Sequence, residues 1–123
     1  MSWDIEYTDQ FETWWSKLTQ KERIAMRQSI EALAAVGPSV GRPTADRIRQ
    51  SRHHNMKELR RSWLRVLFAF DPRQCAILLL GGDKSERDTS SPTWNDWYRK
   101  FVPVADDLYD EYLAELKREG RIE

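Results

Sequence analysis

The sequence predicts an α+β fold: a small antiparallel sheet carrying an N-terminal helical hairpin and a C-terminal helix, in the order β-α-α-β-β-β-α. Three observations predict it. Residues 8–36 hold two stretches whose apolar positions recur at helical spacing. Residues 56–80 hold β-forming runs separated by short turns. Helical periodicity returns from Trp94 to the end. The 123 residues fit one domain, 1–123, and suffice to bury a core.

Each element has a local reason. Trp3 to Tyr7 alternates apolar and acidic residues, the period of a half-buried strand. Thr8-Asp9 offers an N-cap, and Phe11, Trp14, Trp15 and Leu18 follow on one helical face. The Trp14-Trp15 pair could stack on bases, but this spacing reads as core. Thr19-Gln20-Lys21-Glu22 is a capping box that starts a second helix, whose apolar face is Met26, Ile30 and Leu33. Gly37-Pro38 stops it. Residues 39–55 show no clear period and are expected to be a surface loop. Met56 to Arg61 suits a short strand, and Leu64 to Phe70 is richly β-forming. Cys75 to Leu80 is apolar on both faces, as in a covered central strand. Asp71-Pro72-Arg73-Gln74 suits a type I turn. Ser85 to Thr93 is expected to be a mobile loop. Pro103 can open the final helix at its first turn, with Ala105, Leu108, Tyr112 and Leu116 as its buried stripe, widened by Tyr109 and Leu113. Short turns make the last three strands a meander, with the helices expected on one side of it.

Composition narrows the function classes. About 40% of residues are apolar and 33% charged, as in soluble globular domains. No apolar run approaches the roughly 20 residues of a membrane span, and the polar start is not a secretory signal, so no membrane partner and a cytoplasmic location are expected. The lone Cys75, set among Ala, Ile and Leu, reads as a buried structural thiol. Net charge is zero, yet residues 42–73 carry nine basic against three acidic side chains, and residues 104–123 carry seven acidic against three basic. The asymmetry suits a local anion-binding face; a solvated loop and edge strand would also produce it.

The cations converge if the hairpin pairs symmetrically about Pro72-Arg73. Phe70 then faces Cys75, Val66 faces Leu79, and Arg65 faces Leu80, so Arg65 stands where Gly81-Gly82-Asp83-Lys84 leaves the sheet. A tight turn at Arg61-Ser62 would bring Lys57 and Arg60 to the same end, with His54 just before them. His54, Lys57, Arg60, Arg65 and Lys84 would line one concave end, with Gly81 and Gly82 letting backbone approach a ligand. Arginine offers a planar fork of donors and lysine a point charge, a set suited to phosphate. RNA carries its own nucleophile, the 2′-hydroxyl, so cleavage asks for a base, an acid and positive charge rather than a metal or cofactor. Adjacent His53-His54 lack the spacing of a zinc pair, and no P-loop or dinucleotide fingerprint is present.

The run HHNMKELRRSWLRVLFAFDPRQCAILLLGGDKS, followed by WYRKFVPVADDLYDEYLAEL, resembles the HigB-type branch of the RelE/ParE toxin superfamily. The resemblance extends to EYTDQFETWW and GPSVGRPTAD and so spans nearly the whole chain. It implies the toxin of a type II toxin–antitoxin system, a ribosome-dependent endoribonuclease acting on mRNA in the ribosomal A site. The implied partner is a HigA-like helix-turn-helix antitoxin, and no small-molecule cofactor is implied. Arg65 matches the family's phosphate-clamping arginine, and Lys84 the basic residue that stabilises transition-state charge. Tyr98 matches a tyrosine that stacks on a base or orients the nucleophile; packing at the start of the last helices is the other reading. Lys57 and Arg60 fall where general-base and phosphate contacts lie, and His54 can titrate near neutrality. Two departures stand out: the Arg61-Ser62-Trp63 turn is short, and SERDTSSPT is inserted before Trp97-Tyr98. A ParE-like inhibitor that binds a protein target such as gyrase is the alternative, and a bare interaction module a third.

Overall fold

A computed structural model describes residues 3–83 and 94–123. The elements are β1 (Ile5–Tyr7), α1 (Asp9–Ser16), α2 (Gln20–Val36), β2 (Ala45–Arg47), β3 (Lys57–Arg61), β4 (Leu64–Phe70), β5 (Ala76–Asp83) and α3 (Trp94–Arg118), with one 3-10 turn at Gly37–Ser39. The fold is α+β. The strands form one five-stranded sheet in the order β1-β5-β4-β3-β2, with β1 parallel to β5 and the other pairs antiparallel.

Helix starts follow the local chemistry. The Thr8 hydroxyl accepts from the Phe11 N–H at 3.0 Å, and the Thr19–Glu22 capping box is complete in both directions. Arg23 reaches back to the carbonyls of Trp15 and Ser16, closing the end of α1. Gly37 ends α2 at φ +58°, where the Trp3 ring covers it.

The helices do not share a side. Alternate residues of β4 divide two cores. Leu64, Val66, Phe68 and Phe70 pack with Phe11, Met26 and Leu33 of α1 and α2, whereas Leu67 and Ala69 pack with Val102, Ala105 and Tyr109 of α3. β5 splits likewise, Ala76 and Leu78 against Ile77 and Leu79. A strand apolar on both faces has both faces covered, and one helical layer cannot do that. The Trp14-Trp15 pair belongs to the first core, packed against Phe11.

Three further expectations are corrected. Residues 39–55 are not wholly loop. Ala45, Val40 and Ile48 are buried, and β2 pairs with β3 through Ala45↔Leu59 and Asp46↔Glu58. Three residues are too few for periodicity to reveal. Pro103 does not open a helix but lies inside α3, on its exposed side, because Val102 and Ala105 beside it are buried against the sheet. The hairpin register also differs: Phe70 pairs with Ala76, Val66 with Gly81 and Arg65 with Gly82. The turn holds one residue more than expected. Gln74 sits at φ +67°, and the Asp71 carboxylate accepts from the N–H groups of Arg73 (2.7 Å) and Cys75 (3.1 Å), which fixes a three-residue loop. An irregularity between Leu67 and Phe68 adds the second residue of offset.

Candidate active site on the α3 face of the sheet

Arg60 and Arg65 are direct cross-strand partners near the β3–β4 turn. Opposed residues bring their Cα atoms to about 5 Å, and two like charges so placed repel. The sheet supplies the remedy. Glu58, two residues before Arg60 and on the same face, is 2% exposed and accepts from Arg60 Nε at 2.9 Å. Asp46 of β2, the partner of Glu58, receives the same guanidinium at 3.2 Å. Burial alone would lower the Arg60 pKa; the two carboxylates outweigh it and hold the group firmly charged. Arg65 lies across from it with Nη1 donating to the carbonyls of Ser62 (2.9 Å) and Leu64 (2.8 Å). Ser62, at φ +55°, makes the two-residue turn that aims its carbonyl there.

α3 completes the cluster. The Tyr98 hydroxyl donates to the second oxygen of Glu58. Burial, and then the adjacent carboxylate, push the Tyr98 phenol well above its ordinary value, while Arg65 and Arg60 pull the other way. The Tyr98 hydroxyl therefore stands as a neutral hydrogen-bond donor to Glu58. Its helix turn is seated by Trp97, whose indole lies over Gly82. A Cβ there would come within 2.3 Å of the ring. Gly81 does the same for Trp14 on the opposite face, at 2.1 Å. These glycines are sockets for tryptophan, not a backbone approach for a ligand as expected.

The expected site residues therefore separate. Arg60, Arg65 and Tyr98 share one face and one end of the sheet. Lys57 alternates to the other face, opposite Phe68, and its ammonium reaches the Pro38 carbonyl at 3.3 Å. His54 is exposed at the far end, since the neighbouring Asn55 side chain binds the Phe70 carbonyl and the Tyr109 hydroxyl. The span from Arg65 to Phe70 is about 16 Å of strand. Lys84 lies outside the described residues, as does the expected loop at 85–93. Glu58 was the residue sequence reasoning undervalued. Its signal was the period-two series Met56, Glu58, Arg60, which places a carboxylate on a face that begins with a buried methionine.

Folding also redistributes the basic segment. Arg52 bridges to Asp107 at 2.9 Å and to Asp110 and Asp106 of α3, with His53 Nε2 2.9 Å from Asp110. Arg73 pairs with the buried Asp71 at 2.8 Å. Arg52 thus joins the basic segment to the acidic α3, while Arg42, Arg60 and Arg73 are balanced by Asp46, Glu58 and Asp71 within the segment itself. Among the described residues no group of three or more His, Cys, Asp or Glu side chains could hold a metal ion, and no helix is long and apolar enough to cross a membrane.

The family described as Phage derived protein Gp49-like matches residues 13–110. "Putative toxin HigB3" of Mycobacterium tuberculosis is 41% identical over 107 residues, covering 85% of this chain and 89% of that protein. "Putative toxin HigB2" of the same organism is 38% identical over 114 residues, 89% of this chain and 54% of that protein. Among solved structures, the archaeal RelE–RelB complex from Pyrococcus horikoshii matches with a TM-score of 0.57 at 9% identity, covering 70% of this chain and 99% of that one. The RelBE2 toxin–antitoxin complex of M. tuberculosis matches at 0.55 and 15%, covering 68% and 100%. The isolated E. coli RelE toxin matches at 0.50 and 13%, covering 81% and 99%. The chain belongs to the Gp49-like family and is a HigB-like protein with the RelE toxin fold.

Proposed function

We propose that the protein is the toxin of a type II toxin–antitoxin pair and that it cleaves mRNA in the ribosomal A site. Its relatives are named toxins, and several of its structural neighbours are toxin–antitoxin complexes. The observation that carries the reading is the arginine pair at one sheet end, with Arg60 fixed by Glu58 and Asp46 and Tyr98 bound to the same Glu58.

In this reading Arg65 clamps the phosphate of the scissile link. The 2′-hydroxyl of the preceding ribose gives up its proton and bonds to phosphorus, the P–O5′ bond breaks, the leaving 5′-oxygen takes up a proton, and a 2′,3′-cyclic phosphate remains. Charge builds on the phosphorane oxygens, where a preorganised guanidinium is worth about 10²–10³ in rate. Lys84 is the proposed second cation. Tyr98, kept protonated, stacks on a base or donates a hydrogen bond, and Glu58 holds it in place. With Lys57 on the other face and His54 far along the strand, few acid–base groups remain. The ribosome then has to orient the substrate, which fits action on translating ribosomes rather than on free RNA. A HigA-like antitoxin is the proposed partner.

One observation favours a second reading. Two carboxylates already balance Arg60, so fewer cations face solvent here than the sequence suggests. A ParE-like inhibitor that binds a protein such as gyrase needs no phosphate clamp. Toeprinting on translating ribosomes separates the two. Cuts within codons, absent for folded Arg65→Ala and Lys84→Ala variants, support the nuclease. Undiminished toxicity of those variants, without RNA cuts, supports the protein-binding reading.

A further inference from the structure

β1 is an outer strand of the sheet, and among the described residues no strand pairs with its outer edge. The Ala76 N–H donates to the Asp4 carbonyl, and the Thr8 N–H donates to the Leu78 carbonyl. In a parallel ladder that pattern turns the backbone of Glu6 toward β5 and the backbones of Ile5 and Tyr7 away from it. No described residue pairs with those outward N–H and C=O groups. Natural sheets commonly blunt such an edge with lysine, proline or a bulge. This one presents Ile-Glu-Tyr, and Tyr7 is 58% exposed.

The two sides of this edge differ in chemistry. On the α3 side lies a cleft of about 410 Å³, lined by Glu6, Asp9, Glu111, Glu115 and Glu119, with Arg121 its one cation. On the α1/α2 side lies a mainly apolar groove of about 330 Å³, lined by Ile5, Tyr7, Phe11, Trp15 and Ile30. A strand added beside β1 would send successive side chains alternately into the two. Every second residue would meet carboxylates, and the residues between would meet aromatic and aliphatic surface.

We infer that the β1 edge is a docking site for an extended segment of a partner protein in which Lys or Arg alternates with large apolar residues. Backbone pairing with Ile5 and Tyr7 gives register, and the two grooves give specificity, as in other strand-addition interfaces. A second copy of this chain does not fit. Antiparallel pairing of two β1 edges would bring two acidic clefts together on one side. The surface is separate from the Arg65 cluster, since β5 lies between β1 and β4.

The test uses the whole protein and a short synthetic peptide in which arginine and isoleucine alternate. A control peptide of the same composition carries its arginines and isoleucines in separate blocks. The alternating peptide is expected to bind, to weaken with added salt, and to slow amide hydrogen exchange at Ile5 and Tyr7. Glu111→Lys with Glu115→Lys, both at exposed helix positions, should weaken it roughly tenfold, because attraction becomes repulsion. The salt series on the unaltered protein reads the same electrostatics without a variant. Failure of the alternating peptide to bind, equal binding of the block peptide, or unchanged exchange at Ile5 and Tyr7 would overturn the inference. So would a self-associated dimer that protects those two amides.

Discussion

Tyr98→Phe removes one oxygen and leaves the ring. Its consequence can be worked from the environment of Glu58, whose side chain is 3% exposed and accepts from Tyr98 and from Arg60. A hydrogen bond to a charged group contributes about 1.5–3 kcal/mol, and a buried acceptor left short of a donor is costly. Arg60 stays in place, so the loss should fall in the middle of that range, about 2 kcal/mol. For a chain of this size that lowers Tm by roughly 5–10 °C. Urea unfolding should show a lower midpoint with an unchanged slope. Glu58→Gln and the double variant complete a cycle whose coupling should exceed about 0.5 kcal/mol, as expected for groups in contact. A Tyr98→Phe protein within about 0.5 kcal/mol of the parent would show that the phenol and Glu58 are not joined as described.

Gly82→Ala must displace the Trp97 ring and should cost about 1–3 kcal/mol with a change in tryptophan fluorescence; Gly41→Ala, with nothing within 4 Å of the added Cβ, should be nearly neutral, and equal effects would contradict the socket. Burial first, with Glu6 and Asp71 nearby, pushes the Cys75 thiol up to about 11, so a thiol reagent at pH 8 should label it only as fast as the protein opens, and immediate labelling would count against this. Tyr98 and Tyr112 are both raised, chiefly by burial and then by neighbouring carboxylates. Their folded forms keep protons that the unfolded chain releases, so the stability they give is whole below about pH 10 and falls as pH rises above it; a stability curve flat through that window would refute the assignment.

Much of the fold was legible because it rests on local rules. Thr8, the Thr19–Glu22 box and Gly37 mark helix ends by chemistry confined to a few neighbours. The apolar run of β5 announced a strand covered twice, yet where its two covers come from depends on chain path, which periodicity does not carry. The short β2 is held by Ala45, Ile48 and the Thr44 carbonyl, which accepts from the Arg60 N–H at 2.7 Å; these contacts reach β3 and its approach, beyond the few neighbours that local rules read. The site was half legible for the same reason. Arg60 and Arg65 follow from a two-residue turn, and Lys57 departs because one position along a strand reverses the face. The hairpin register slipped because Gln74 takes a left-handed conformation usually left to glycine, and Asp71 fixes a longer loop than Pro72 suggested. The net charge of residues 42–73 misled in part, since Arg52 finds its partners, Asp106, Asp107 and Asp110, more than fifty residues away, and Arg42 and Arg60 share Asp46 close by.

In the proposed function the α3 face of the sheet, at Arg65, carries the activity. Toeprinting on translating ribosomes with matched Arg65→Ala and Lys57→Ala proteins, each shown to be folded, tests it most directly. Cuts within codons should persist for Lys57→Ala and fall by about 10²–10³ for Arg65→Ala. Cleavage that survives at Arg65→Ala and disappears at Lys57→Ala would place the chemistry on the opposite face and contradict the account.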